Sequence, residues 1–191
     1  MLEKISNIDQ FIVSQILQMK RFWFVDEIFI FFSLIGSYGV IWILLLAFFI
    51  VKAELKRHDD RFIFLFFSGQ GISLIFNTVL KLLTHRLRPL ALDLTNFATF
   101  KENILLPISY PTDFSFPSLH AMLAFTAATL LSSRLKKHRL KFYFVATLIS
   151  FSRIYLTFHF PTDVICGMIL GIVIGKLWMR LNFFGFQRHH V

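Results

Sequence analysis

Residues 62–89 read FIFLFFSGQGISLIFNTVLKLLTHRLRP, and no charged side chain interrupts the run before Lys81. An α-helix needs roughly 20 largely apolar residues to cross the hydrocarbon of a bilayer, and this stretch supplies them. It then turns basic within one short reach, with Lys81, His85, Arg86 and Arg88, before Pro89 marks a helix exit. The reading is a membrane-spanning helix that delivers a group of cations to one membrane face.

Outward from that run, apolar stretches of similar kind lie at residues 28–51, 117–133, 142–158 and 164–181, which with 62–83 makes five expected spans. The third and fourth are short and carry polar residues, which is tolerable only where those residues face other helices or a wet cavity. Residues 1–22 differ in character. Ile5, Ile8, Ile12, Ile16 and Met19 recur at helical spacing while Asn7, Ser14, Gln15 and Gln18 occupy other faces, the pattern of an amphipathic helix lying in the interface. A sixth, short span is the competing reading of this segment. Glu3 and Asp9 interrupt the region where a secretory signal would place its charged start and apolar core, so the segment is expected to be retained.

The expected architecture is therefore an all-α integral membrane protein of one domain over residues 1–191. It would be a bundle of about five transmembrane helices in a core at 28–181, plus the interfacial helix, six helices in all. Composition agrees: the chain is 56% hydrophobic and only 16% charged, against about 25% charged in soluble domains. The net charge of +9 would suit nucleic acid, but the basic residues sit in short clusters between apolar runs, which reads as topology. No nucleic-acid partner is expected. Lys52, Lys56, Arg57, Arg61, Arg134, Lys136, Lys137, Arg139, Lys141, Lys176, Arg180 and Arg188 all fall on one side of the five-span arrangement. The positive-inside rule makes that side cytoplasmic. The loop at 89–116, the stretch around His159 and the N-terminal helix then lie on the extracytoplasmic side of the plasma membrane. Cys166 is the single cysteine, so neither an internal disulfide nor a thiolate metal site is expected. Gly167, Gly171 and Gly175 form a small-xxx-small stripe in the fifth span, read first as close packing within the fold and second as a dimer face.

Ionisable groups at membrane depth are costly, so three clusters call for a reason. Lys81 and Arg88 are seven residues apart, two turns of a continuing helix, with His85 between them on the same face. Two such cations suit a phosphate, Arg as a planar fork and Lys as a point charge; snorkelling basic side chains at a helix end are the plainer alternative. Pro117-Ser118-Leu119-His120 opens the third span, where free backbone N–H groups favour an anion, Ser118 adds a hydroxyl donor and His120 a proton donor. A serine cap beside an interfacial histidine is the plainer alternative here. Finally, Ser152-Arg153 is followed after five residues by His159 and after three more by Asp163, with Pro161 favouring the first turn of the next helix. Asp163 can accept a hydrogen bond from one imidazole nitrogen of His159, leaving the other free to attack phosphorus. All three clusters fall on one side under a topology deduced from other residues.

Together these residues resemble the type-2 phosphatidic acid phosphatase superfamily, whose pattern is K-x6-R-P, then P-S-G-H, then S-R-x5-H-x3-D. The first and third motifs match at every defined position, and the second departs only at Leu119, where the family usually has Gly. The resemblance implies that His159 is the nucleophile forming a phosphohistidine, that Asp163 orients it, and that His120 protonates the leaving oxygen. It implies that Lys81, Arg88, Arg153 and Ser118 hold the phosphoryl oxygens together with the backbone at Leu119, with no metal and no cofactor. Leu119 keeps the backbone N–H of a glycine, but it would narrow the site if the glycine serves close approach or an unusual backbone angle. The layout resembles the short bacterial undecaprenyl diphosphate phosphatases, while phosphatidylglycerophosphate, phosphatidic acid and lipid A phosphatases share the motifs. Expected partners are a lipid phosphate or diphosphate and membrane lipids, and the oligomeric state is not encoded in any readable pattern. Lys101 in the 89–116 loop is a candidate headgroup contact. A transporter component is the rival class, resting on intramembrane charge and the glycine stripe, and a lipid-binding member without catalysis is another, resting on Leu119.

Overall fold

The computed structural model describes residues 2–52, 60–89 and 110–187. Those residues form seven α-helices: α1 (Leu2–Gln18), α2 (Trp23–Gly36), α3 (Val40–Val51), α4 (Asp60–Thr84), α5 (Leu119–Arg134), α6 (Arg139–Tyr155) and α7 (Pro161–Gln187). Short 3-10 turns at Ser37–Gly39 and Lys136–His138 link α2 to α3 and α5 to α6.

The expected five spans correspond to these helices with two differences. The first expected span is broken: α2 and α3 meet at 72°. The break sits where Ser37 leaves the helix at φ −62°, ψ 130° and Gly39 adopts the left-handed region at φ 73°, a conformation that glycine adopts without a Cβ penalty. Two helices, α4 and the Pro161–Leu181 part of α7, are each long and apolar enough to cross a membrane, or three spans if the bent pair counts as one. α5, at 16 residues, is roughly 24 Å long, short of the ~30 Å hydrocarbon thickness.

α5 need not meet lipid, because it is the central helix. From Ala121 to Ser132 every residue is buried. Its small residues Ala121, Ala124, Ala127 and Ala128 let neighbours approach from several sides. α7 comes nearest. A Cβ on Gly167 would stand 2.6 Å from the Ser118 carbonyl oxygen, and one on Gly175 would stand 2.9 Å from Thr129 Cβ. One on Gly171 would meet the Met122 carbonyl. The glycine stripe thus serves packing within the fold. Two of the polar residues that made this span questionable are satisfied by neighbouring helices. Thr126 Oγ1 pairs with Ser73 Oγ of α4 at 2.8 Å, and Thr129 Oγ1 with Tyr143 of α6 at 3.0 Å.

Around this centre the outward faces are apolar: Phe64, Ile75 and Leu82 on α4 and Ile165 and Ile169 on α7 are all exposed. Water would not stabilise such a surface, and lipid would. The chain is a multi-pass membrane protein. Helix direction then fixes the two ends of the bundle. α4 starts beside Arg61 and ends beside Lys81, α5 starts beside Ser118 and ends at Arg134, and α6 starts at Arg139 and ends beside Arg153. The three motif clusters therefore gather at one end, opposite Arg61, Arg134, Lys136, Lys137 and Arg139.

Candidate active site

The first motif does not adopt the expected shape. α4 stops at Thr84 and His85 turns the chain with φ 48°, so Lys81, His85 and Arg88 do not share a helix face. The chain leaves the helix four residues before Arg88 because the segment 110–117 lies alongside and replaces the helical hydrogen bonds. Ser115 N–H donates to the Arg86 carbonyl at 2.8 Å, and Ser115 Oγ to the Leu87 carbonyl at 3.1 Å. His85 is exposed and packs edge-on to Phe114 at 4.6 Å between centroids.

The departure brings the two cations together by another route. Arg88 is buried and donates from Nη1 to the Phe158 carbonyl at 2.7 Å, from Nε to the Asp113 carbonyl at 2.8 Å and from Nη2 to Asp113 Oδ1 at 2.5 Å. Lys81 Nζ donates to the other oxygen of the same carboxylate. Burial pushes the Asp113 carboxyl up, but the Lys81 hydrogen bond and the charges of Arg88 and Lys81 outweigh it and bring its pKa down to about 2.

The second motif stands at the start of α5. Ser118 is the N-cap of α5, extended at φ −70°, ψ 115°. It is anchored from two sides: Asn77 Nδ2 donates to the Pro117 carbonyl at 2.9 Å, and Ser118 N–H donates to the Asp163 carbonyl at 3.0 Å. Its hydroxyl makes no cap bond; Ser118 Oγ is buried without a hydrogen-bond partner among the described residues. The first N–H groups of α5 have no intrahelical acceptor, as at any helix start. Leu119 is already helical, so the position asks for no unusual backbone angle. Its side chain lines the cavity, and the narrowing remains.

The third motif is compact. Arg153 lies in the last turn of α6, and both Phe158 and His159 return their N–H groups to its carbonyl, at 3.0 and 3.1 Å. Thr157, at φ 55°, makes the reversal. Arg153 lies over the Phe158 ring at 4.4 Å and donates from Nη1 to Ser33 Oγ of α2. Its Nε is buried with no hydrogen-bond partner among the described residues. His159 is 2% exposed. Its Nε2 stands 3.1 Å from Arg88 Nη1. A guanidinium can only donate, so Nε2 accepts and the ring proton belongs on Nδ1, which faces Asp163 Oδ2 at 3.6 Å. That separation is an electrostatic pairing beyond direct hydrogen-bond length. Burial, then the charges of Arg88, Arg153 and Lys81, hold the His159 imidazole well below its ordinary value of 6.5 and hence neutral.

These groups open onto one cavity of about 620 Å³, whose lining includes Lys81, Arg88, Asp113, His120, Arg153 and His159. His120 also faces Ser37 Oγ, 3.4 Å from Nε2, so the break between α2 and α3 places a hydroxyl beside it. Of the eight residues read as the site, six line the cavity (Lys81, Arg88, Leu119, His120, Arg153 and His159), Ser118 precedes Leu119 in the chain, and Asp163 stands directly behind His159. Lys101 lies outside the described residues.

Three participants were not read from the sequence. Asp113 is one. The others are Asp9 and Arg86: Arg86 Nη1 donates to Asp163 Oδ1 at 2.6 Å, and its Nη2 to Asp9 Oδ2 at 2.6 Å. Asp9, fully buried on α1, also accepts from Thr162 N–H at 3.1 Å and from the Thr162 hydroxyl. The legible signal was Asp9 itself, a carboxylate in an otherwise apolar or neutral stripe that ran on past it.

Comparison with known proteins bears on the same residues. The chain is 34% identical over 112 residues to an undecaprenyl-diphosphatase of Sulfolobus acidocaldarius, covering 58% of this chain and 50% of that protein. It is 32% identical over 115 residues to phosphatidylglycerophosphatase B of Bacillus subtilis, covering 54% and 50%. The chain thus spans about half the length of the curated relatives it matches. Among solved structures it is similar to the transmembrane PAP2 type phosphatidylglycerolphosphate phosphatase of Bacillus subtilis, with TM-score 0.69, 25% identity and coverage of 98% of this chain and 88% of that one. It is also similar to Aquifex aeolicus LpxE, with TM-score 0.65, 26% identity and coverage of 91% and 93%. The family model of the PAP2 superfamily matches residues 62–186, a stretch that holds all three motifs and well over half the sequence, and the chain belongs to that superfamily.

Proposed function

We propose that this protein is a membrane lipid phosphatase that converts undecaprenyl diphosphate to undecaprenyl phosphate through a phosphohistidine on His159, at the extracytoplasmic face of the plasma membrane. The observation that carries the reading is the gathering of His159, His120, Lys81, Arg88 and Arg153 on one cavity, with His159 Nε2 3.1 Å from Arg88 Nη1. As the Arg88 guanidinium turns from Nε2 to the phosphoryl oxygens, the freed Nε2 lone pair attacks the terminal phosphorus, the bond from phosphorus to the bridging oxygen breaks, and His120 gives its proton to that oxygen. Water then attacks the phosphohistidine, returns a proton to His120 and releases inorganic phosphate. Asp163 stabilises the charge that develops on the imidazole. Arg88, Lys81, Arg153, the Ser118 hydroxyl and the N–H groups that open α5 (Leu119 among them) stabilise the transferring oxygens. Buried donors still open, Arg153 Nε and Ser118 Oγ, fit an anion there. A metal is not needed for this stabilisation, because the cations supply the charge a metal supplies elsewhere.

The positive-inside rule supports the outward site, since the basic loops lie at the other end of the bundle. The Sulfolobus relative supports the diphosphate substrate. The Bacillus relative supports phosphatidylglycerophosphate as the second reading; phosphatidic acid and lipid A phosphates remain within the same chemistry. The test is phosphate release by purified protein from each of these lipids, with and without chelator. Undecaprenyl diphosphate is expected to react fastest and chelator to change nothing, with His159→Ala and His120→Ala inactive. Activity retained in His159→Ala sinks the mechanism, whereas no phosphate release by the unaltered protein would return the transporter and lipid-binding readings to the front.

A further inference from the structure

Two cations on the cavity wall, Arg88 and Lys81, are already engaged. Asp113 presents one carboxylate oxygen to Arg88 Nη2 at 2.5 Å and the other to Lys81 Nζ. Three of the four remaining N–H donors of Arg88 go to the Asp113 and Phe158 carbonyls and to His159. An incoming phosphoryl group that is to bridge Lys81 and Arg88 therefore meets a carboxylate in the position its own oxygens would take. The surroundings are unequal in a telling way: the side chains of Lys81 and Arg88 are 12% and 5% exposed, whereas that of Asp113 is 54% exposed. The cations are fixed in the wall, and the anion stands at the mouth, on a segment that can release it to water by side-chain rotation alone.

We infer that Asp113 is an internal counter-anion, which holds Lys81 and Arg88 between turnovers and competes with phosphate for them. The inference rests on the phosphatase reading above. A carboxylate carries one charge and two oxygens. A phosphate monoester or the terminal group of a diphosphate carries up to two charges and three oxygens, so it displaces Asp113 on binding. Two consequences follow. Substrate binding is an exchange of anions, which spares the enzyme a pair of buried, unpaired cations when the site is empty. Inorganic phosphate, which is no longer tethered to a lipid, faces the same competitor, and Asp113 favours its release. A carboxylate on a ligand gains nothing over Asp113, so the site discriminates against carboxylates in favour of phosphates.

The test uses the purified full chain in detergent micelles, with a lipid phosphate as substrate and inorganic phosphate and orthovanadate as competitive inhibitors. Asp113→Asn keeps the size of the side chain and one acceptor oxygen and removes the charge. The inhibition constants of both anions are expected to fall about tenfold, the order of one partly screened charge at contact distance. Asp113→Glu is expected to restore values near those of the unaltered protein, and Asp113→Ala gives the same reading as Asn should the amide variant fail to accumulate. If Asn and Ala leave the constants unchanged or raise them while the unaltered protein turns over and is inhibited, Asp113 merely orients the cations and the inference fails alone. If the unaltered protein neither releases phosphate nor binds either anion, the phosphatase reading fails and takes the inference with it.

Discussion

The first and third motif segments of the site, 81–89 and 152–163, differ in charge, the first carrying Lys81, Arg86 and Arg88 and the second balancing Arg153 with Asp163, and they have opposite construction. The second is built from its own neighbours. Arg153 lies in the last turn of α6, its carbonyl receives the N–H groups of Phe158 and His159, and Asp163 Oδ2 accepts the Phe160 N–H at 3.0 Å. The first is held by partners far away in sequence. Arg86 reaches Asp9 and Asp163, each 77 residues distant, and Arg88 reaches Asp113 and His159, 25 and 71 residues distant. The main-chain turn of the second segment is fixed locally, but its side chains at Arg153, Thr162 and Asp163 lean on Ser33, Asp9 and Arg86, and the first segment is only as sound as its distant charges.

The sharpest way to break that contrast is Arg86→Ala. It leaves two buried carboxylates, Asp9 and Asp163, facing each other without their shared cation, and removing one member of a buried ionic set costs on the order of 4 kcal/mol. Thermal unfolding in detergent is expected to shift down markedly, with activity lost alongside. A variant as stable as the parent would mean that 81–89 stands on its own. Asp9→Asn is a gentler cut. Arg86 keeps Asp163 and Thr162 keeps a hydrogen-bonding neighbour, so about 2 kcal/mol is expected, the scale of weakened hydrogen bonds to a charged group. Here kcat is expected to fall while KM holds, because Asp9 acts on the orientation of Asp163 and not on the lipid. A rise in KM alone would count against the link from α1 to the nucleophile.

Next in size is the pH profile. His159 must be neutral to attack, and its imidazole is held below 6.5, by burial first and by Arg88, Arg153 and Lys81 after it. Activity is therefore present above that lowered value and lost as pH falls through it, so the acid limb of kcat/KM is expected below 6.5. Replacing Arg88 by Gln removes a charge that disfavours imidazolium, so the limb is expected to move to higher pH, by less than about one unit since burial remains. Movement to lower pH would contradict the Arg88–His159 contact. The same replacement in a residue of the basic end, such as Arg139→Gln, is expected to leave the limb where it is.

The contrast also explains what could be read without a structure. The 152–163 segment was legible almost to the residue, because Pro161, Asp163 and His159 act within two turns of one another. The family of apolar runs gave the helical bundle and the common end for the motifs. The shape of 81–89 was not legible. Seven-residue spacing implies one face only while the helix lasts, and it ends at Thr84 because the 110–117 segment competes for its backbone. Nor was the 72° break between α2 and α3, since hydropathy averages over Ser37 and Gly39 and sees one continuous apolar stretch. Asp9 was read only as an interruption, because the partner that justifies its burial is Arg86, just past the far end of another helix.

Leu119 brings the comparison to its smallest term. It opens α5 between the two segments, in a helical conformation that any residue adopts, so exchanging it for Gly gains nothing at the backbone and costs about 1 kcal/mol of helix propensity, less at a first-turn position. What the exchange does change is space: the side chain lines the cavity beside His120 and Arg153. Leu119→Gly is therefore expected to alter turnover only a few-fold while broadening the range of headgroups accepted, measured as the ratio of rates on a bulky and a small lipid phosphate. A rise of a hundredfold or more on every substrate would show instead that the leucine blocks the anion site itself. The backbone N–H donors at the start of α5 would then be the limiting part of the site, ahead of either segment.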